Sequence, residues 1–274
     1  MSTTSTPVQP LPTAVDAVRR RGVLGDVALV LQRELRPLLR DPFSVVFGMV
    51  QPLVFLGLFG PLLSGVVGDD AVVGGSAWQW FVPSILVMTT LFGTSTTGAN
   101  LLAEFQTGSH ERLLVTPLSR ASLLAGRALK EIVTLAAQSV VIVAAVVPFG
   151  FRLHLPGALL GLVLLATFGV GLGALSHALA IAVRRTEWMF WAVQQTFLFP
   201  LLILSGTLLP LEAGPAWMRV AAQANPLTHL LDAERALFAG DLWSGDVLAG
   251  VIAAAATAVV GLAIGIRAMR GSAE

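Results

Sequence analysis

The chain has 274 residues, of which 55% are hydrophobic and 12% are charged, with a formal net charge of +1 at pH 7. With a mean hydropathy of +0.80, this composition is too apolar for a soluble globular domain and indicates a protein of the lipid bilayer. The absence of cysteine excludes disulfides and thiolate metal sites.

The N-terminal region divides into a tail and a helix. Residues 1–25 are rich in Ser, Thr and Pro and lack apolar periodicity, which predicts a flexible cytoplasmic tail. Residues 26–40 place apolar side chains at spacings of three and four, while Arg33, Arg36 and Arg40 gather on another face. This pattern predicts an interfacial amphipathic helix, apolar side toward the acyl chains and arginines near anionic headgroups. A helix packed on a soluble partner fits the same residues.

Six apolar windows are long enough to cross a hydrocarbon core, which takes about 20 helical residues. They lie at residues 43–63, 81–103, 132–151, 157–183, 188–209 and 247–266. With the N-terminus inside, 14 of the 17 Lys and Arg residues fall on the inner side, so both termini are expected in the cytoplasm. The predicted fold class is therefore an all-α integral membrane protein with six transmembrane helices.

Four polar side chains stand out within the spans. They are Gln51, Thr94, Gln194 and Gln195. Thr94 belongs to a stripe of hydroxyl groups, for which interhelical bonding or a bond back to its own helix is an equally good account. Gly169 and Gly173 have the GxxxG spacing, which predicts close backbone packing rather than a nucleotide loop.

The segment 104–120, EFQTGSHERLLVTPLSR, is charged and turn-rich although it lies between two apolar spans. Gly108 interrupts a helix-compatible start, and Pro117 ends a short turn that carries Arg112 beside two leucines. Such a segment suits docking on another protein, although an ordinary inter-helix loop has the same features. The residues that would shape or make such a contact are Glu104, Gly108, Glu111, Arg112, Leu113, Leu114 and Pro117.

Between the fifth and sixth spans, the stretch 211–239 is too long and too apolar for a plain loop. Proline and glycine residues divide it into two short helices, at about 216–224 and 227–239. We expect these helices to dip into the outer leaflet or to cap the bundle.

The chain shows no phosphate-binding G-x-x-x-x-G-K-[ST] loop, no H-E-x-x-H pair and no G-x-S-x-G elbow. Its spans are nearly free of charged residues away from their ends. An ion-coupled carrier usually needs an intramembrane carboxylate or an unwound ion site, and an intramembrane protease needs a nucleophile or metal ligands, and neither is evident here. The sequence therefore predicts a passage with no catalytic residue, metal or cofactor of its own, energised by a separate subunit. A proton-coupled carrier that uses His177 and a membrane scaffold that moves nothing are the alternatives.

Two runs resemble the signatures of type-2 ABC exporter permeases, in particular their daunorubicin- and doxorubicin-resistance branch. They are Glu104, Gly108 and ERLLVTPLSR at 111–120, and LSGT at 204–207 followed by Pro210, Pro215, Trp217 and NPLT at 225–228. The similarity covers about residues 26–270, since the six spans also fall in the corresponding places.

The resemblance implies that segment 104–117 is the coupling region, seated in a cleft of a cytoplasmic subunit that binds ATP and Mg. It implies that 211–239 forms re-entrant extracellular helices with a gate. The gate residues would be Gly206, Pro210, Trp217, Asn225 and Pro226. Two permease copies or paralogues would face one another through the first and fifth spans and leave a groove for cargo. The candidates for lining that groove are Gln51, Thr94, Gln194 and Gln195.

The expected function is export of a hydrophobic or amphipathic drug-like molecule or lipid, driven by ATP on the partner subunit. Export of a lipid-linked glycan or glycolipid is the alternative within transport, and nucleic acid is not an expected partner. Arginine greatly outnumbers the single lysine, Lys130, and alanine is abundant, which indicates a GC-rich bacterial genome and hence the cytoplasmic membrane.

Overall fold

A computed structural model describes residues 23–40, 42–66, 77–106, 120–184, 186–208, 211 and 214–271. Within these residues the secondary structure is helical, which confirms the all-α fold class. In chain order, the helices are α1 (Val23–Arg40), α2 (Pro42–Val66), α3 (Ala77–Ser95), α4 (Thr97–Gln106), α5 (Arg120–Val146), α6 (Leu155–Ala182), α7 (Glu187–Ile203), α8 (Ala216–Gln223), α9 (Pro226–Ala239) and α10 (Gly245–Gly271).

A helix occupies each of the six positions that the sequence predicts as spans. Among the described residues, four stretches are long and apolar enough to cross a membrane: Trp78–Gln106, Ala125–Phe149, Leu155–Ala182 and Gly245–Arg270. A shorter apolar stretch, Met49–Pro61, lies in α2, and α7 has 17 residues. The count of six transmembrane helices stays a prediction.

The fifth predicted span is shorter than expected, because α7 ends at Ile203 rather than near residue 209. Pro200 cannot donate a hydrogen bond within the last turn, and Gly206 adopts a φ of +75°, which no right-handed helix contains. The chain therefore leaves the helix and turns before the outer segment begins.

Helix α1 buries part of its apolar face on the protein itself, which differs from the predicted placement of that whole face in lipid. Val30 is 4% exposed and fits against Gly126 of α5, where a Cβ would collide with the Val30 side chain. Leu29 and Leu39 stay exposed on α1. The hollow at Gly126 thus fixes α1 against the start of α5.

The second predicted span is broken at Thr96, which separates α3 from α4. Ser176 of α6 serves the backbone at this break: its hydroxyl donates to the Ser95 carbonyl and accepts from the Gly98 N–H at 3.0 Å. A Cβ at Gly98 would overlap Ser176, so glycine is what lets α4 approach α6 here. The break therefore has a fixed partner on the neighbouring helix.

Helix α6 lies at the centre of the bundle and packs against α3, α4, α5, α7, α9 and α10. Gly169 makes room for the Thr94 methyl group, whereas a Cβ at Gly173 would lie at an ordinary 3.5 Å from Thr97 Oγ1, so the GxxxG pair packs on side chains rather than on a neighbouring backbone as predicted. Gly171 faces the opposite way, where a Cβ would lie 2.5 Å from the Thr257 carbonyl oxygen of α10. Gly171 thus lets α6 contact α10 at backbone distance.

The bundle has two distinguishable ends. At one, which we call the α1 end, α1 meets the start of α5, and Gln106 at the end of α4 donates a 3.1 Å hydrogen bond to Glu187 at the start of α7. At the other, the α9 end, Gln79 of α3 donates to the carbonyls of Arg152 at 3.0 Å and Phe238 at 2.9 Å. Gln79 therefore joins α3, the α5–α6 turn and the end of α9.

Candidate functional site

An ion cluster at the α1 end joins three helices through one guanidinium group. Arg127 of α5 donates a 2.6 Å hydrogen bond to Glu104 of α4, and its Nε lies 3.9 Å from Glu34 of α1. These side chains are 16–26% exposed, so water screens the charges only in part. Because α4 ends at Gln106, the cluster holds the last turn before segment 107–119 against α1 and α5.

A cavity of about 120 Å³ opens beside this cluster. Its wall includes the cluster, Lys130 and Glu131, which form a 2.7 Å ion pair, and the polar residues Asn100 and His177. This volume is below the roughly 300 Å³ at which pockets hold drug-sized ligands. The cavity can hold water around the charged groups next to the Thr96 break. Within the described residues, no cluster of His, Asp and Glu could hold a metal.

Of the seven predicted coupling residues, the structure describes Glu104. The other six, Gly108, Glu111, Arg112, Leu113, Leu114 and Pro117, lie outside the described residues. Glu104 sits at the junction between the bundle and the predicted coupling segment, and its role in coupling stays a prediction. The pairing with Arg127 was missed from sequence, although both residues flank the same charged segment.

The four predicted groove residues do not share a cavity in the described part of the chain. Thr94 lines the cavity at the α1 end, yet its hydroxyl donates to the Thr90 carbonyl at 2.7 Å. Gln51 on α2 and Gln195 on α7 are exposed, while Gln194 is buried and its Oε1 has no hydrogen-bond partner there. Their role in a groove, which would lie between two copies, stays a prediction.

Helix α7 contacts the bundle along a single stripe. Its buried side chains recur every fourth position, at Phe190, Gln194, Leu198 and Leu202. Side chains elsewhere on the helix are exposed and largely apolar, as at Trp188 and Phe197. An apolar helix surface of this kind faces either lipid or a second protein chain.

At the α9 end, the two signature runs contact each other. Asn225 donates from its amide to the Leu201 carbonyl at 2.8 Å, and Thr228 donates to the Leu204 carbonyl at 3.3 Å. These bonds use carbonyls at the end of α7 that lack a helical partner. The Asn225 side chain also accepts from the Leu227 N–H at 3.0 Å and so caps α9. The LSGT and NPLT runs therefore form one unit.

The predicted gate residues have different local roles. Gly206 has the left-handed φ noted above, and its carbonyl accepts from Arg235 at 3.1 Å. Pro226 begins α9, where a missing N–H costs nothing, and Trp217 is exposed on α8. Pro210 lies outside the described residues. Their function as a gate stays a prediction.

Helix α9 lies inside the bundle and antiparallel to α6. The α6 residues that meet Leu237 and Glu234 are Gly157 and Gly161, so contacts advance along α6 as residue numbers fall on α9. Gly161 is about 9 Å along the axis from the start of α6 at a rise of 1.5 Å per residue. The N-terminal part of α9 is therefore the deeper part.

Two charged residues on α9 were not singled out from the sequence. Glu234 is fully buried, and neither carboxyl oxygen has a hydrogen-bond partner among the described residues. Arg235 donates to the Ser84 hydroxyl at 3.0 Å and lies 4.0 Å over the ring of Trp80. The sequence did contain a signal for this pair, because Glu234 and Arg235 are adjacent charged residues in a largely apolar helix.

Comparison with known proteins matches residues 26–239 to the family model described as ABC-2 type transporter. The daunorubicin resistance ABC transporter permease protein DrrB1 of Streptomyces coeruleorubidus is 27% identical over 75% of this chain and 72% of its own length. A protein of Cyanophora paradoxa named as the transport permease ycf38 is 29% identical over 80% and 76%. The Mycobacterium tuberculosis protein named DrrC for doxorubicin resistance is 26% identical over 92% and 90%. With its apolar helices, this chain is a multi-pass membrane protein that belongs to the ABC-2 type transporter family.

Proposed function

We propose that this chain is the permease subunit of an ATP-driven exporter that moves a hydrophobic or amphipathic small molecule, or a lipid, out of the cell. The names of DrrB1 and DrrC support a drug-like cargo. The predicted orientation in a bacterial cytoplasmic membrane makes the α1 end cytoplasmic and the α9 end extracellular.

The observation that carries the proposal is the Glu104–Arg127–Glu34 cluster. It lies where α4 leads into segment 107–119, which we propose docks in a cleft of the ATP-binding subunit. Movement of that segment would act on α4 and α5, which flank it, and the guanidinium group would carry the movement to α1. The Thr96 break, held to α6 by Ser176, is the point about which α4 would change its angle to α3 without bending a continuous helix.

On the extracellular side, the hydrogen bonds from Asn225 and Thr228 tie α9 to the end of α7. Displacement of α7 would therefore shift α9, which we propose forms the gate together with α8. For ATP to drive export, the nucleotide must favour one arrangement of the two ends over the other.

A second permease copy or paralogue completes the proposed passage. The exposed apolar surface of α7 and the exposed Val54 and Leu58 of α2 support a contact through these helices. In that arrangement Gln51 and Gln195 lie on the exposed side and are available to a groove between the copies.

The test is ATP-dependent transport by the permease reconstituted in proteoliposomes with the ATPase encoded beside it. Glu104→Ala and Gly108→Pro are each expected to abolish export while leaving the protein inserted. Asp246→Asn removes an exposed carboxylate at the α9 end and serves as the control that keeps wild-type export. Wild-type export by a well-inserted Glu104→Ala, Gly108→Pro double variant would refute the coupling role. Transport that needs no ATPase and stops with an uncoupler would favour the proton-coupled carrier.

A further inference from the structure

A second cavity, of about 330 Å³, lies between α5, α6 and α9 toward the α9 end. Its walls are apolar side chains such as Leu86, Val143, Leu162 and Phe238. Glu234 is the single ionisable residue among those that line it. The volume falls within the roughly 300–1,000 Å³ of pockets that bind small molecules.

The Glu234 carboxyl group lies against Gly161 of α6, where the absence of a side chain leaves space for it. A Cβ at Gly161 of α6 would overlap Glu234 Oε2, so the glycine provides the space. Both carboxyl oxygens are buried without a hydrogen-bond partner among the described residues. A buried carboxylate in apolar surroundings is strongly unfavourable unless it is protonated or faces a cation.

The neighbouring cation, Arg235, does not pair with the Glu234 carboxyl group. Arg235 donates to Ser84 and to the Gly206 carbonyl and lies over Trp80, so its guanidinium group is engaged toward α3 and the end of α7. The lining residues contributed by α5 and α6 carry no charge. The carboxyl oxygens lie packed against Gly161, so the Glu234 side chain turns toward the cavity to meet a cation, and a cation that it meets there would come from a ligand.

The cavity opens on the outer surface of the bundle between α5 and α6. Val140, Leu155 and Leu159 at its rim are 68%, 60% and 58% exposed. This surface belongs to two of the helices that are long and apolar enough to cross a membrane. A ligand would enter it from the lipid, and so would need an apolar body.

We propose that this cavity is a binding site for an amphipathic amine, whose apolar body packs against α5 and α6 and whose ammonium group pairs with Glu234. The assignment of that amine as cargo rests on the proposed export function. A neutral amine that meets a protonated Glu234 takes the proton from the carboxyl oxygen to its nitrogen. The resulting ion pair carries no net charge into the bilayer.

The experiment uses the full-length permease in lipid nanodiscs and two fluorescent probes that differ in one group. The amine probe is N-(5-aminopentyl)dansylamide, and the neutral probe is the corresponding 5-hydroxypentyl compound. Wild-type protein is expected to bind the amine at least about tenfold more tightly, since a buried charge-assisted contact is worth that factor or more. Glu234→Gln should abolish the preference, whereas Asp241→Asn, an exposed carboxylate just after α9, should retain it.

Filling the cavity gives a second variant with an independent outcome. Val143→Trp should weaken both probes about equally, because it removes the space rather than the charge. Equal affinity of the wild type for the two probes would overturn the proposal. So would a tenfold preference retained in Glu234→Gln, or a higher thermal midpoint of that variant with unchanged binding, which would mark Glu234 as a packing residue only.

Binding in nanodiscs needs no ATPase, so this result and that of the export test can fail separately. Wild-type export of the amine by the Glu234→Gln complex would remove the cavity from the path but leave the export function standing. Binding of the amine by a permease that exports nothing with its ATPase would leave the binding site standing and refute the export function.

Discussion

Arg127 is the residue whose replacement tests the α1 end most directly. Its two carboxylate partners differ in geometry: Glu104 accepts a 2.6 Å hydrogen bond, whereas Glu34 lies 3.9 Å away. Hydrogen bonds to charged groups are worth about 1.5–3 kcal/mol, and loosely paired surface charges about 0–1 kcal/mol. Partial exposure of the side chains reduces both values.

We therefore expect Glu104→Gln to lower the free energy of unfolding by about 1–2 kcal/mol and Glu34→Gln by less than about 0.5 kcal/mol. Arg127→Gln should cost more, about 2–3 kcal/mol, because it removes the guanidinium group that both partly buried carboxylates share. The double variant Glu104→Gln, Arg127→Gln should then show a coupling energy of about 1–2 kcal/mol.

The assay is reversible unfolding of the purified permease in mixed micelles with increasing SDS, followed by tryptophan fluorescence. The control pair combines Arg127→Gln with Asp246→Asn at the far end of the bundle, where the two effects should add within about 0.5 kcal/mol. Equal costs for Glu34→Gln and Glu104→Gln would contradict the geometry. A coupling energy near zero between Glu104 and Arg127 would show that the cluster does not hold the helices together.

Two further predictions concern hydrogen bonds that join helices. Ser176→Ala should lower the free energy of unfolding by about 1–3 kcal/mol in the same assay, because it leaves the buried N–H of Gly98 without this partner. The control is Thr167→Ala, which removes an exposed hydroxyl bonded within its own helix and should cost less than about 0.5 kcal/mol. Asn225→Ala should cost about 1–2 kcal/mol from loss of the α9 cap and should raise hydrogen exchange at the start of α9, whereas Asn225→Asp, which keeps the acceptor, should retain the cap. Unchanged stability of Ser176→Ala, or unchanged exchange in Asn225→Ala, would contradict the assigned contacts.

Much of the fold could be read from hydropathy, because a helix that crosses lipid needs a long apolar window wherever it lies in the bundle. A packing role for Gly169 could also be read, although the neighbour that it admits is the Thr94 side chain rather than a backbone. The surface against which the apolar face of α1 packs could not be read from the sequence, because it depends on the hollow at Gly126, about a hundred residues away along the chain.

The contacts of the candidate site were less accessible from the sequence. Threonines and glycines run through residues 93–98, but only the position of Ser176 on α6 determines where the helix breaks. In the sequence, Glu234 is one of several charged residues in a short helix. Its apolar surroundings come from α5 and α6 and become visible only in the fold. Tertiary surroundings, rather than local spacing, give these residues their chemical character.

The single contact stripe of α7 has a mechanical consequence. The start of α7 is held by the first residues of that stripe and by one exposed hydrogen bond from Gln106 to Glu187, whereas its C-terminal end is tied to α9 by two hydrogen bonds, so the start can swing about that end once the Gln106 bond opens. Helix α6, locked to α10 through glycines at backbone distance, has no such freedom. For α7 the pivot is therefore the junction after Ile203, and the α6–α10 pair is the fixed frame against which it turns.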